Sequence, residues 1–194
     1  MGTRDRDLAG RPRNARPRDD LGRPLPRTAS GGPGSGDGEP GSAAATPAEA
    51  AGIGGRLLLD GRPFQAHEVF EDAWKAAPAA DRDLWRGLAQ IAVGLTHARR
   101  GNPRGAVALL RRGAGNVRGY SGDPVPYGID VALVTVRAQE VATRIERDGL
   151  AALPLEVLLL PLGPQLGAAS HTLAWKPGWS GWRRPTRPLP LPRW

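Results

Sequence analysis

The chain has 194 residues, with 27 Lys and Arg against 19 Asp and Glu, a formal net charge of +8 and no cysteine. That length allows one ordinary domain plus tails. The absence of cysteine excludes disulfides, thiolate zinc sites and cysteine nucleophiles, and it fits a cytoplasmic protein.

Residues 1–45 hold few large apolar side chains and alternate Arg with Asp, as in Arg4-Asp5-Arg6-Asp7, before a Gly-, Pro- and Ser-rich stretch. Such a segment cannot bury enough surface to offset its chain entropy, so a disordered N-terminal tail is expected. Its acids and its lack of an apolar segment argue against a targeting peptide. The periodic apolar pattern lies between the tails, and a single domain over residues 46–162 is expected.

Thr46-Pro47-Ala48-Glu49 has the form of a capping box with proline at the first helical position, which predicts a helix from about Pro47 to Leu59. Gly52, Gly54 and Gly55 weaken it. Asp60-Gly61 closes that helix, Pro63 opens a second reaching about Ala77, and Pro78 ends it. A third helix starts near Asp81 and runs to Arg100, with Leu84, Leu88, Ile91, Leu95 and Ala98 as its apolar stripe. Gly101-Asn102-Pro103 reads as helix stop, N-cap and first residue of a fourth helix to about Val117, with Ala106, Leu109 and Leu110 inward and Arg104, Arg111 and Arg112 outward. After a loop from Gly119 to Gly128, Asp130 caps a fifth helix that Gly149 stops, its buried line being Val134, Ala138, Val141 and Ile145. The apolar stretch Leu155–Leu162 should lie back over the bundle. Strand-like alternation is lacking, so the fold class is all-α: a single bundle of about five helices with disordered N- and C-terminal tails. Residues 163–194 form the second tail, in which Trp175, Trp179, Trp182 and Trp194 stand among prolines and arginines. Its tryptophans and arginines suit a contact with a membrane surface or nucleic acid, but its prolines prevent a continuous amphipathic helix, which favours disorder.

Charge divides unevenly, at +1 for residues 1–50, +3 for 51–150 and +4 for 151–194. The core is only mildly basic, and its arginine runs read as a solvated face, so nucleic acid is not its expected partner. A protein partner or a second copy stays open. No apolar run approaches the length of a membrane span.

Two lines of side chains stand out. Phe64, His67, Glu71 and Trp74 share one face of the second helix. A stripe bounded by Phe and Trp should be buried, yet its middle positions are ionisable, and burying them costs several kcal/mol unless they are paired or bound. On the third helix, Gly87, Gln90, Gly94 and His97 form a line whose glycines suggest close approach of another backbone. The expectation is that this line faces the His67–Glu71 row.

The run Asp60-Gly-Arg-Pro-Phe-Gln-Ala-His-Glu-Val-Phe-Glu-Asp-Ala-Trp74 resembles the domain of unknown function 309 family of bacteria and archaea, whose hallmark HxxxExxW is met by His67, Glu71 and Trp74. The resemblance extends over Gly87, Gln90, His97, Gly101, Asn102, Gly105 and Tyr127-Gly-Ile-Asp130, spanning roughly residues 50–162. It implies a small all-helical domain and a metal-binding role for the motif. The glycine-rich first helix departs from the family pattern.

The polar cluster is therefore expected to comprise His67, Glu71, Trp74, Gln90 and His97. The leading specific reading is a metal or small-ligand binding site; as a metal site it would use His67, Glu71 and His97, a set suited to Zn²⁺ or Fe²⁺. As a structural element it would be a hydrogen-bond network that fixes helix register in a non-catalytic interaction scaffold. Acid–base catalysis by Glu71 beside His67 is a third reading. No nucleophile, phosphate loop or cofactor fingerprint accompanies it, so catalytic residues stay unassigned.

Overall fold

In a computed structural model the described residues are 46–163 together with Asp19 and Leu21–Arg23. The expectations for the rest of both tails, including the four tail tryptophans, lie outside the described residues. Among the described residues there are five α-helices and no strand: α1 Pro47–Leu59, α2 Pro63–Ala76, α3 Arg82–Arg99, α4 Pro103–Arg118 and α5 Val131–Asp148. Short 3-10 turns cover Ala79–Asp81, Pro126–Gly128, Leu150–Ala152 and Leu155–Leu158.

The boundaries follow local chemistry. At the start of α1 the Glu49 amide donates to Thr46 Oγ1 at 3.2 Å, and the Thr46 amide donates to Glu49 Oε2 at 2.9 Å. That reciprocal pair satisfies two donors that helix geometry leaves without partners. Asn102 Oδ1 accepts from the Gly105 amide at 2.9 Å to cap α4, and Asp130 Oδ1 accepts from Leu133 at 2.9 Å to cap α5. Gly149, at φ +74°, ends α5 in a conformation that costs a side-chain-bearing residue energy.

Each helix packs on the next in chain order, and α3 is the central element, flanked by α2 and α4. The predicted stripe Leu84, Leu88, Ile91, Leu95 and Ala98 is buried, as are Val134, Ala138, Val141 and Ile145 of α5. Ala106 and Leu110 are buried on α4, while Leu109 is half-buried. Of the glycines of α1, Gly54 has a packing reason: a Cβ there would lie 2.1 Å from the Phe70 ring, so only glycine admits that ring. Leu160 and Leu162 are buried, and Leu162 meets α1 at Gly55, so the apolar stretch after α5 does fold back over the bundle. The Asp130 amide donates to the Leu162 carbonyl at 2.7 Å, anchoring that return.

Candidate functional site

The α2 row forms, but not as the buried stripe its aromatic ends suggest. Phe64, His67, Glu71 and Trp74 are all half-buried, and the fully buried line beside them is Pro63, Ala66, Phe70, Ala73 and Ala77. The reason is size. Alanines at three of those positions let α2 approach its neighbours closely, with Phe70 filling the space left by Gly54 and meeting Trp85 of α3 at 6.3 Å between ring centroids. The larger, amphipathic row is left on the rim.

Within the row, His67 Nε2 stands 3.2 Å from Glu71 Oε2, with the two side chains 16% and 18% exposed. This is an ion-pair distance, although the approach lies off the line of a hydrogen bond. Lys75, one further turn along, brings Nζ to 2.9 Å from Glu71 Oε1. The His67 contact foremost, with Lys75 adding to it against the opposing effect of burial, lowers the Glu71 pKa to about 2. Phe64 closes one end of the row, its ring centroid 6.3 Å from that of His67. Beside Phe64 lies the turn formed by Asp19 and Leu21–Arg23, whose Gly22 is buried against the Phe64 ring and whose Leu21 carbonyl accepts from Arg100. Trp74, at the other end, packs on the rim of the core.

The α3 line faces a different helix from the one expected. A Cβ on Gly87 would meet the Gly113 carbonyl and Val117, and one on Gly94 would meet Leu110 and the Ala106 carbonyl, all on α4. Gln90, fully buried, accepts through Oε1 from Asn116 Nδ2 of α4 at 2.8 Å. His97 Nδ1 is 2.9 Å from Asn102 Nδ2. Close approach of a second backbone was legible from the glycines; which backbone was not. A glycine line fits the helix that offers small residues in return, and α4 does so with Ala106 and Gly113, whereas the α2 row carries His, Glu and Trp.

His97 is thus engaged at the α3–α4 junction. Because Asn102 Oδ1 is committed to the cap, its Nδ2 faces the ring and donates to Nδ1, which requires Nδ1 unprotonated. Burial, and secondarily the Arg100 guanidinium, lower the His97 pKa. Among the described residues no three His, Cys, Asp or Glu side chains gather where they could hold a metal ion. The set His67, Glu71 and His97 therefore lacks the geometry that a Zn²⁺ or Fe²⁺ reading needs.

A second polar cluster lies outside the site expected from the sequence. Asp81, 8% exposed, accepts from Tyr127 Oη at 2.6 Å and Tyr120 Oη at 3.3 Å. Tyr127 stacks on the buried Trp85 with ring centroids 5.6 Å apart. Burial first, and then the bond to Asp81, raise the Tyr127 pKa far above its ordinary value. This cluster ties the α4–α5 connection to the start of α3. The sequence carried little sign of it, since its members lie 46 and 39 residues apart. Lys75, by contrast, was detectable as the i+4 partner of Glu71.

An open groove of about 600 Å³ lies along α5, lined by residues that include Val136, Glu140, Arg144 and Val157, and no member of the α2 row lines it. No helix among the described residues is long and apolar enough to cross a membrane.

Comparison with known proteins agrees with the motif. The uncharacterized protein YpuF of Bacillus subtilis (strain 168) is 44% identical over 48 residues, which is 24% of this chain and 28% of that protein. The similarity therefore spans little more than a quarter of the relative's length. No solved structure matches the chain. Residues 54–109, from the second half of α1 through the first half of α4, match the family model described as Domain of unknown function (DUF309), and that stretch contains His67, Glu71 and Trp74.

Proposed function

We propose that the folded part is a non-catalytic helical interaction module, in which the His67–Glu71–Lys75 row clamps the rim of α2 instead of performing a reaction. The observation that carries this reading is the double engagement of Glu71, one carboxylate oxygen beside His67 and the other on Lys75. A carboxylate so held, with its pKa near 2, is a poor proton acceptor at neutral pH, where an effective general base has a pKa close to ambient. Gln90 and His97 support the same reading, since each is engaged by an asparagine of the α3–α4 hairpin. Phe64 and Trp74, half-buried at the two ends of the row, are residue types that anchor protein–protein contacts.

Elemental analysis of the purified full chain, with thermal melting in the presence and absence of chelator, tests the proposal. The expected result is no stoichiometric metal and a melt unmoved by chelator or by added Zn²⁺, Mn²⁺ or Fe²⁺. Stoichiometric metal with a chelator-lowered melt would overturn it, because a ligand that binds the native state alone raises its stability by mass action.

A further inference from the structure

We infer that the solvent face of α4 is a docking surface for the phosphate backbone of a nucleic-acid duplex. This surface is separate from the α2 row and goes beyond the reading given above. The helix carries Arg104, Arg111, Arg112 and Arg118 and no acidic residue. Arg104, Arg111 and Arg118 recur every seventh position, placing them on one line at intervals of about 10.5 Å. Ala108 and Gly115 lie between them on the same line, and Arg112 flanks it. All six residues are exposed. The mild average charge of the core concealed this face, because the balancing acids sit on other helices.

An ordinary solvated face does not account for it. On α5 the arginines are interleaved with acids and two of the three pair with them, Arg137 with Glu140 at 2.9 Å and Arg147 with Asp148 at 2.7 Å. On α4 only Arg111 has such a partner, Glu146 of α5 at 2.5 Å. Among the described residues, no carboxylate pairs with Arg104, Arg112 or Arg118. Arg104 also stands in the first turn, where the helix dipole disfavours a cation. Three of the four arginines, Arg104, Arg112 and Arg118, therefore bring the isolated fold no carboxylate contact among the described residues.

The chemistry of the face selects the occupant. Arginine binds phosphate oxygens in a two-pronged fashion, and small residues between the arginines let a backbone come close. A protein partner would ordinarily find a large apolar or aromatic anchor. The exposed large apolar residues among those described are Val125, Val136 and Leu155, none of them on α4. Single strands are held largely by stacking on aromatic rings, and α4 contains no aromatic residue. A duplex held through its phosphates, with no reading of bases, remains.

Fluorescence anisotropy of a labelled mixed-sequence DNA duplex of about 20 base pairs, titrated with the full chain between roughly 50 and 200 mM salt, tests this. Against wild type, the combined Arg104→Gln, Arg112→Gln and Arg118→Gln variant should bind roughly tenfold more weakly, with a log–log salt slope shallower by about 2–3. An Arg137→Gln, Arg147→Gln variant on α5 should bind as wild type does. Circular dichroism checks the fold of the triple variant. If it fails to fold, the three single variants, each expected to lower the slope by about 1, replace it. Unchanged affinity in the arginine variants would overturn the proposal and assign any binding to basic residues elsewhere in the chain. Tighter binding of a single strand than of the duplex would also overturn it, as would polyglutamate displacing the duplex at equal ionic strength.

Discussion

Gly87 and Gly113 face each other across the α3–α4 contact so closely that a Cβ on Gly87 would lie 2.8 Å from the Gly113 carbonyl oxygen, and one on Gly113 would lie 2.7 Å from that of Gly87. Each would strike backbone, which cannot rotate aside. Gly87→Ala should therefore force the helices apart and destabilise the protein by roughly 1–3 kcal/mol. Gly115, on the exposed side of the same helix, has nothing within 4 Å of its would-be Cβ. There, alanine should add about 0.5–1 kcal/mol through helix propensity. Urea unfolding of the two variants is the measurement, and equal effects would contradict the packing described.

The Glu71 clamp predicts a defined response to acid. The folded state holds the Glu71 pKa at about 2, below its ordinary 4.5. The native state therefore releases this proton more readily than the unfolded chain does. The resulting stabilisation is complete above pH 4.5 and is lost as pH falls toward 2. Glu71→Gln should cost roughly 1–2 kcal/mol at neutral pH, the range for hydrogen bonds to a charged group at a partly solvated site. The gap between variant and wild type should close in strong acid. A gap independent of pH would show that shape, not charge, matters at this position.

His97 titrates in a different window. Its pKa is lowered from 6.5 in the folded state, so the unfolded chain takes up this proton first as pH drops. Stability from the neutral ring is present above pH 6.5 and declines as pH falls below it. His97→Gln should remove that decline. Chemical-denaturation midpoints of wild type and variant between neutral and mildly acidic pH will show it, and parallel curves would count against the Asn102–His97 arrangement.

The Asp81 cluster should be sensitive to loss of a single hydroxyl. Tyr127→Phe leaves the ring on Trp85 but deprives a buried carboxylate of its 2.6 Å donor. A loss of roughly 1–3 kcal/mol is expected. Tyr120→Phe, removing the 3.3 Å bond, should cost less. The same burial keeps the Tyr127 phenol protonated, and burial with Asp81 also raises Tyr120, so alkaline spectrophotometric titration should find both tyrosines ionising above the ordinary range in the native state, Tyr127 the more resistant.

Helix bounds were readable because their signals are local. Thr46 with Glu49, Asn102 before Pro103, and Asp130 are caps whose partners lie three residues away. The α3 stripe was readable because its residues repeat at helical spacing. What failed was the choice between neighbours. Gly87, Gln90, Gly94 and His97 announce a close contact, yet a period along one helix holds no information about which helix answers it. The depth of the α2 row failed for a related reason. Phe64 and Trp74 are apolar enough to suggest the interior, but Ala66, Phe70 and Ala73 beside them pack closer and took it. The Asp81 bonds to Tyr120 and Tyr127 depend on where a long loop settles, which no short-range pattern encodes.

Leu162 on Gly55 and the Asp130–Leu162 bond join the two ends of the folded chain. The segment of family likeness, residues 54–109, stops short of that closure and omits α5, which covers α4. Cut at those limits, the piece would begin after the α1 cap and end inside α4, losing Leu110, Gly113, Ala114 and Val117 from the buried side of that helix. Likeness and packing thus have different borders here: the recognisable stretch is a hairpin and its approach, while the elements packed on one another run on through α5 to Leu162.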